Sequence, residues 1–173
     1  MTIEVHRLTP DLVSLQLLTA IARPERWNDD VADGLIARAR AHAQADDRFI
    51  AIAYLDSEPV GAVEAQDYGT SLWRDFTVIR MHDVFVAPDH RRQGIGRELV
   101  AAMVRWARSR PDAGFIEWQA NRDAVAFYVS LGLTPDYVSD TPDYPYFVLD
   151  VRPSPAGADA PERASRASAL DWV

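Results

Sequence analysis

The chain contains no cysteine, and this absence excludes disulfide bonds, thiolate metal sites and a cysteine nucleophile together. Such a chain gains nothing from an oxidising compartment, so we expect a cytoplasmic protein. Charged residues interrupt every apolar stretch, and no segment reaches the about 18–20 apolar residues that a membrane-spanning helix needs. The N-terminal residues lack the apolar run of a signal peptide and predict a first strand instead.

Lysine is absent as well, and all 18 basic residues are arginine. The formal net charge is −8 at pH 7, which disfavours binding to nucleic acid because phosphate contacts need concentrated positive charge. The same negative charge attracts a cationic substrate at long range. We therefore expect neither nucleic acid nor a membrane surface as a partner, and nothing in the sequence predicts a metal site.

The composition is that of an ordinary globular domain, with 48% hydrophobic and 25% charged residues in a chain of 173. From residue 152 onward, proline, alanine, serine and glycine dominate, and this composition predicts a disordered tail. We therefore expect one folded domain over residues 1–151 and a disordered tail over residues 152–173.

Hydrophobic periodicity and turn residues predict elements in the order β-α-α-β-β-β-α-β-α-β-β. The predicted strands cover residues 3–8, 49–55, 60–65, 77–86, 115–118, 135–138 and 146–151. The predicted helices cover residues 11–21, 31–45, 94–110 and 121–131, with caps at residues 28–30 and 121 and a loop at residues 69–75. This order predicts a mixed α/β domain in which helices cover a sheet.

A basic loop with two glycines joins the fourth predicted strand to the third predicted helix. Amide groups at the start of a helix are unpaired and lie at the positive end of its dipole, so they bind anions. Gly94 and Gly96 let phosphate oxygens approach the backbone, and three arginines add positive charge, namely Arg91, Arg92 and Arg97. The loop therefore predicts a pyrophosphate site.

Two other glycine-rich phosphate-binding motifs do not match the residues of this loop. A nucleotide-binding P-loop needs a lysine after its last glycine, and this chain has no lysine. The dinucleotide-binding fingerprint needs a third small residue three positions after Gly96, where Leu99 stands.

The chain resembles the GNAT acyl-CoA N-acyltransferase superfamily in two motifs. Arg91, Gly94 and Gly96 form the RxxGxG signature, and residues 121–132 match the later pattern N-x-x-A-x-x-F-Y-x-x-L-G. The resemblance covers roughly residues 1–151 and is strongest over residues 80–133. It implies an α/β fold with a mixed, mostly antiparallel sheet of about seven strands flanked by about four helices. It also implies acetyl-CoA as cosubstrate.

The resemblance assigns the cofactor contacts residue by residue. The backbone of the fourth strand would pair with the pantetheine amides at Val84, Phe85 and Val86. The pyrophosphate would rest on the loop formed by Arg91, Arg92, Gln93, Gly94, Ile95, Gly96 and Arg97. Asn121 would contact the pantetheine arm while also capping its helix, since capping uses only one of its polar atoms.

Catalysis in this family needs an acid and a base. Tyr128 matches the tyrosine that protonates the departing thiolate, and its alternative role is core packing. The candidates for the base are His82, Asp83 and Glu64, with Glu117 as a further carboxylate. His82 and Asp83 lie in a central strand where both faces are expected to be buried, so a hydrogen-bonded core histidine is the alternative. The other histidines, His6, His42 and His90, are predicted at the surface.

The predicted function is transfer of an acetyl group from acetyl-CoA to a primary amine by direct attack. The acceptor is a small-molecule amine such as a polyamine, or a peptide amine. Residues 82–86 resemble the polyamine acetyltransferases, with His82 replacing the first acid of a pair, but the spacing from Glu117 to Asn121 differs from that group by two residues. The alternative function is a non-catalytic acyl-CoA sensor or scaffold.

Two further features concern the C-terminal third of the domain. The loop over residues 137–146 is rich in aspartate and tyrosine and either lines a cationic acceptor pocket or forms a polar turn. The apolar strand near Phe147, Val148 and Leu149, together with frequent dimerisation among relatives, suggests a homodimer.

Overall fold

The structure is a computed structural model that describes residues 2–21, 32–70, 72–137 and 143–152. Within these residues, the strands are β1 (Ile3–Arg7), β2 (Arg48–Leu55), β3 (Glu58–Thr70), β4 (Thr77–Val86), β5 (Ala113–Gln119) and β6 (Tyr146–Asp150). The helices are α1 (Leu15–Ile21), α2 (Ala32–Gln44), α3 (Ile95–Arg108) and α4 (Val125–Ser130). The predicted α/β class is confirmed.

The strands form one sheet in chain order from β1 to β6. The pairs β1–β2, β2–β3 and β5–β6 are antiparallel, whereas β4 and β5 are parallel. The parallel register runs from Thr77 opposite Ala113 to Arg80 opposite Glu117. The sheet is therefore mixed and mostly antiparallel, as predicted.

The predicted strand over residues 135–138 is wrong for the residues that are described. Asp136 forms an isolated bridge with Tyr146. The Tyr146 amide donates to the Asp136 carbonyl at 2.9 Å, and the Asp136 amide donates to the Tyr146 carbonyl at 2.7 Å. Pro135 has no N–H group, so the ladder cannot extend through it. The described part of the chain therefore forms six strands, where about seven were expected.

The first helix begins four residues later than predicted. The Ser14 hydroxyl accepts a hydrogen bond from the Leu17 amide at 3.2 Å, which caps the helix at Leu15. The preceding residues form a turn in which the Leu12 amide donates to the Thr9 carbonyl at 3.0 Å. Leu12 and Leu15 are consequently exposed, and Leu17 and Leu18 supply the buried side chains. At the end of β3, by contrast, residues 69 and 70 are strand where a loop was predicted.

The described residues divide into two compact units. Of the described residues, the first unit comprises 2–21, 32–66 and 81–103, and the second comprises 67–70, 72–80, 104–137 and 143–152. In the first unit, α1 and α2 cover one face of β2 through a cluster of six buried residues, namely Leu8, Val13, Leu17, Leu18, Ala39 and Ile52. This packing anchors the strands that carry the site.

The second unit is centred on aromatic side chains. Trp118 stacks on Phe147 with ring centroids 5.5 Å apart, and the Tyr128 ring lies 5.1 Å from each of them. Asp67 is buried and accepts a hydrogen bond from Arg110 Nε at 3.0 Å. The buried indole N–H of Trp118 has no hydrogen-bond partner among the described residues.

Several predicted features lie outside the described residues. These are the cap at residues 28–30, most of the acceptor loop at residues 138–142, and the tail from residue 153 onward. Among the described helices, none is long and apolar enough to cross a membrane. The described residues also contain no cluster of three or more histidine and acidic side chains suited to a metal ion.

Asp150 at the end of β6 gives a pH-dependent contribution to stability. Burial raises the pKa of Asp150, but the hydrogen bonds and charge of Arg152 outweigh burial and hold this pKa below its ordinary value. A lowered carboxyl pKa stabilises the fold above the unfolded-state pKa, and this stabilisation is lost as pH falls through the folded pKa. We expect Asp150→Asn to reduce the free energy of unfolding by at most about 1 kcal/mol at neutral pH, because the pair is partly exposed.

Urea denaturation of both proteins at neutral pH and at an acidic pH low enough to protonate the wild-type carboxyl measures this contribution. The difference between the two proteins should vanish there. An equal difference at both pH values would show that the carboxylate charge contributes nothing.

Candidate active site

The second half of β4 is more open than the first. The residues from Thr77 to Met81 alternate between buried and half-buried, whereas none of the residues from His82 to Val86 is buried. His82 itself is exposed, so the expectation that both faces of this strand are buried is wrong at this position. An apolar strand end such as Val84–Val86 that stays half-buried can bind a ligand along its length.

Gly61 brings α3 close to this strand end. A Cβ at Gly61 would lie 2.6 Å from the Phe85 carbonyl oxygen and 3.2 Å from a Leu99 methyl group, so only glycine fits. Next to it, the Ala87 amide donates to the Val60 carbonyl at 2.9 Å. These contacts fix the end of β4 and the start of α3 against β3.

The loop from β4 to α3 is held by its own residues. A 3₁₀ turn at Pro88–His90 follows the strand, and the Arg91 guanidinium donates from Nε to the Val86 carbonyl at 3.1 Å. From the sequence, Arg91 was expected to add positive charge to the loop and to belong to the RxxGxG signature. The structure adds a bond that ties the loop to the strand end.

Two residues of the loop adopt left-handed backbone conformations. Arg92 has φ 62° and Gly94 has φ 87°, and α3 begins at the next residue, Ile95. A non-glycine residue at positive φ costs about 1–3 kcal/mol and is found mainly where function fixes the backbone. Alternation of left- and right-handed residues turns successive amides inward and forms an anion-binding concavity.

The loop has room for a phosphate. A helical hydrogen bond runs from the Glu98 amide to the Gly94 carbonyl at 3.2 Å, so the helix starts within this loop. The atom nearest to a Cβ built on Gly94 is an Ile3 methyl group at 3.9 Å. Arg91, Arg92 and Arg97 are exposed around this position. The predicted loop residues therefore lie together in a positively charged, open helix start.

Glu64 on β3 contacts an arginine and a histidine. Its Oε1 accepts a hydrogen bond from Arg48 Nη1 at 3.0 Å and lies 3.2 Å from Nδ1 of His42. His42 was predicted at the surface, but it is half-buried in this contact, as is His90 in the loop. No sequence pattern links residues 42 and 64, because only the packing of α2 on the sheet brings them together.

Glu117, the further carboxylate candidate, is also in an ion pair. Glu117 Oε1 on β5 lies 3.7 Å from Arg80 Nη1 on β4, and both side chains are half-buried. Asp143 lies 3.9 Å from Arg122 and is exposed. The described part of the predicted acceptor loop thus contains one solvated ion pair.

Asn121 and Tyr128 belong to the second unit. Asn121 Oδ1 accepts a hydrogen bond from the Ala124 amide at 3.0 Å, which confirms its predicted role as a cap. This cap opens a 3₁₀ turn at Arg122–Ala124 that leads into α4. Tyr128 is buried in α4 and packs on the aromatic rings of Trp118 and Phe147. Glu117 and Asp143 also lie in the second unit, whereas Glu64, His82, Asp83 and residues 84–97 lie in the first.

Comparison with known protein families decides the classification. The profile described as the Acetyltransferase (GNAT) family matches residues 12–133, which is most of the described chain. The protein belongs to the GNAT acetyltransferase family. It is therefore an acyltransferase, and its cosubstrate is acetyl-CoA, as in the rest of the family. The comparison with curated proteins finds no match.

Solved GNAT structures share the fold of this acetyltransferase. An aminoglycoside acetyltransferase from an uncultured soil metagenomic sample is 27% identical with a TM-score of 0.63, over 80% of this chain and 95% of its own. PaiA N-acetyltransferase from Thermoplasma acidophilum, solved with coenzyme A, is 14% identical with a TM-score of 0.60, over 87% and 99%. Glucosamine-6-phosphate N-acetyltransferase from Arabidopsis thaliana is 15% identical with a TM-score of 0.61, over 80% and 95%.

Proposed function

We propose that this GNAT acetyltransferase transfers the acetyl group of acetyl-CoA to a primary amine, which attacks the thioester directly. The observation that carries the proposal is the open, arginine-rich helix start at residues 91–97, which directly follows a half-buried apolar strand end. The chain has no cysteine that could hold the acetyl group as a thioester intermediate.

The first unit supplies the proposed contacts with acetyl-CoA. The loop amides and the three arginines neutralise the pyrophosphate, and the left-handed backbone at Arg92 and Gly94 gives the loop its shape. The backbone of Val84, Phe85 and Val86 aligns the pantetheine arm in the manner of an added strand. One of the same amides polarises the thioester carbonyl. We propose that Asn121 contacts the pantetheine arm as well.

Proton transfer defines the remaining roles. An amine is protonated at neutral pH, because its reference pKa is near 10, so a base must remove a proton before attack. The polar groups of the first unit, His82, Asp83 and Glu64, are the proposed source of this base. We propose that Tyr128 gives a proton to the departing thiolate.

The acceptor that fits best is a small cationic amine. The net charge of −8 attracts a molecule with several ammonium groups, such as an aminoglycoside or a polyamine, and repels a phosphorylated amino sugar. The relative that is 27% identical is named as an aminoglycoside acetyltransferase, which supports the same class. A peptide amine is the second acceptor class, and it needs no multiple charge.

Two further proposals concern the setting of the enzyme. The absence of cysteine supports a cytoplasmic location. Frequent dimerisation among relatives is the remaining support for a homodimer, because Phe147 and Leu149 are buried in the core of the second unit. Their apolar character is therefore explained without a partner.

A thiol-release assay over an amine panel tests the proposed function. The panel contains an aminoglycoside, a linear polyamine, a phosphorylated amino sugar and a peptide with a free N-terminus, each with acetyl-CoA. We expect release of CoA with the two polycationic amines above the level without acceptor. Calorimetry with acetyl-CoA completes the test, since binding without release for every amine would favour the non-catalytic sensor.

A further inference from the structure

A histidine and a carboxylate from different elements meet on the α2 side of the sheet. His42 lies in the last turn of α2, and its Nδ1 is 3.2 Å from Oε1 of Glu64 on β3. Arg48 on β2 donates from Nη1 to the same oxygen at 3.0 Å. The side chains of His42 and Glu64 are 34% and 30% exposed, so water or a small molecule can reach both. Three elements thus hold one imidazole against one fixed carboxylate.

The carboxylate determines which nitrogen of the imidazole carries the proton. When the ring is neutral, Nδ1 facing Oε1 is the N–H donor, and Nε2 is therefore the proton acceptor. Within the described part of the chain, Nε2 makes no hydrogen bond or ion pair. An imidazole that a carboxylate orients through one nitrogen and that is open at the other has the arrangement of a general base.

The pair lies on the strand next to β4. β3 and β4 are neighbours in the sheet, and the Ala87 amide donates to the Val60 carbonyl between them. A Cβ built on Gly61 of β3 would lie 2.6 Å from the Phe85 carbonyl oxygen of β4. Glu64 follows three residues after Gly61 on β3, and neighbouring strands lie about 4.8 Å apart, so the pair is near β4.

We infer that His42 is the general base of the acetyl transfer and that Glu64 is its positioning residue. The inference rests on the proposed function and changes the role of Glu64 from base to orienting group. Nε2 takes one proton from the acceptor ammonium, and the neutral amine attacks the thioester carbon. The C–N bond forms, the C–S bond breaks, and the thiolate takes a proton from Tyr128 or water. The second N–H proton passes to solvent as the amide forms, and His42 returns its own proton to solvent. Where Tyr128 is the donor, it regains a proton from solvent.

A pH profile will report every charged group around His42. Glu64 faces it from β3 and Arg48 from β2. The neighbouring strand β4 carries His82 and Asp83, and Arg38 and Asp46 lie four residues before and after His42 in the sequence. A shift in one profile is therefore ambiguous, and matched variants are needed.

The test compares His42→Gln with His6→Gln. His6 is the matched control, because its Nε2 also contacts a glutamate, Glu4, at 3.1 Å, but this pair lies exposed on β1. We expect His42→Gln to lower kcat about 10²-fold at neutral pH, the usual scale of general base catalysis, and less at high pH where free amine is plentiful. The affinity for acetyl-CoA and the melting temperature should stay at wild-type values. His6→Gln should match the wild type throughout.

The outcomes separate this inference from the proposed function. A wild-type enzyme that releases no CoA with any amine removes the proposed function, and the inference with it. If the wild type is active and His42→Gln has the same pH–rate profile, the inference alone is removed. The inference is also removed if the acidic limb of the pH–rate profile is lost in His82→Gln but kept in His42→Gln.

A second variant covers the case in which His42→Gln does not fold. Glu64→Gln keeps the side-chain shape and removes the carboxylate that orients the ring. We expect its turnover to fall at least about tenfold, because the neutral amide no longer fixes the tautomer. A folded Glu64→Gln enzyme with wild-type turnover would overturn the inference.

Discussion

Gly94→Val is expected to weaken acetyl-CoA binding by about ten- to a hundredfold while leaving the protein folded. Gly94 has φ 87°, where a side chain costs about 1–3 kcal/mol, so valine favours a loop in which the amides no longer face inward. A loss of about 1.4 kcal/mol in binding corresponds to a tenfold loss of affinity. Calorimetric titration with acetyl-CoA measures the effect.

Gly69→Val is the matched control for this substitution. Gly69 has φ 72°, and a Cβ built on it has no atom within 4 Å, but it lies near the end of β3 and outside the loop. It should lose comparable stability and keep wild-type affinity for acetyl-CoA. Equal affinities in the wild type and in folded Gly94→Val would show that the loop does not bind the pyrophosphate.

Tyr128→Phe is expected to lower turnover by about 10²-fold, the usual scale of general acid catalysis, and to leave acetyl-CoA affinity unchanged. The phenylalanine ring keeps the packing against Trp118 and Phe147, so the fold should survive. A thiol with a reference pKa near 8.5 can leave unaided, which is why the expected loss is moderate. Steady-state kinetics with saturating acetyl-CoA measure the change.

Tyr54→Phe provides the comparison for Tyr128. Tyr54 is half-buried and, like Tyr128, lies against an aromatic ring, that of His6 at 5.8 Å. It has no proposed part in the reaction. It should retain wild-type turnover. Full activity in Tyr128→Phe would identify the acid as water or another group and leave Tyr128 as a packing residue of the second unit.

The parts of the fold that could be predicted are those that local patterns determine. Alternation predicted β4 with its observed bounds, and the Gly94 position predicted the turn into α3 that its positive φ now explains. The Asn121 cap followed from the ability of a short polar side chain to accept an amide hydrogen bond. In each case the determining residues are neighbours in the sequence.

The parts that could not be predicted depend on contacts between distant residues. The exposure of His82 depends on what covers β4, and the contact of His42 with Glu64 depends on how α2 packs over β3. The left-handed Arg92 was also unpredictable, because nothing in an arginine side chain favours positive φ. These residues belong to the candidate site, and their conformation or exposure differs from what their local sequence favours.

Transfer of a radiolabelled acetyl group tests the central claim most directly. The enzyme is incubated with acetyl-labelled acetyl-CoA and the polycationic amines of the panel, and label is counted separately in the protein and in the amines. The account predicts that label moves from acetyl-CoA to an amine and that none is bound covalently to the protein. Label retained on the protein, or label that stays in acetyl-CoA with every amine, would contradict it.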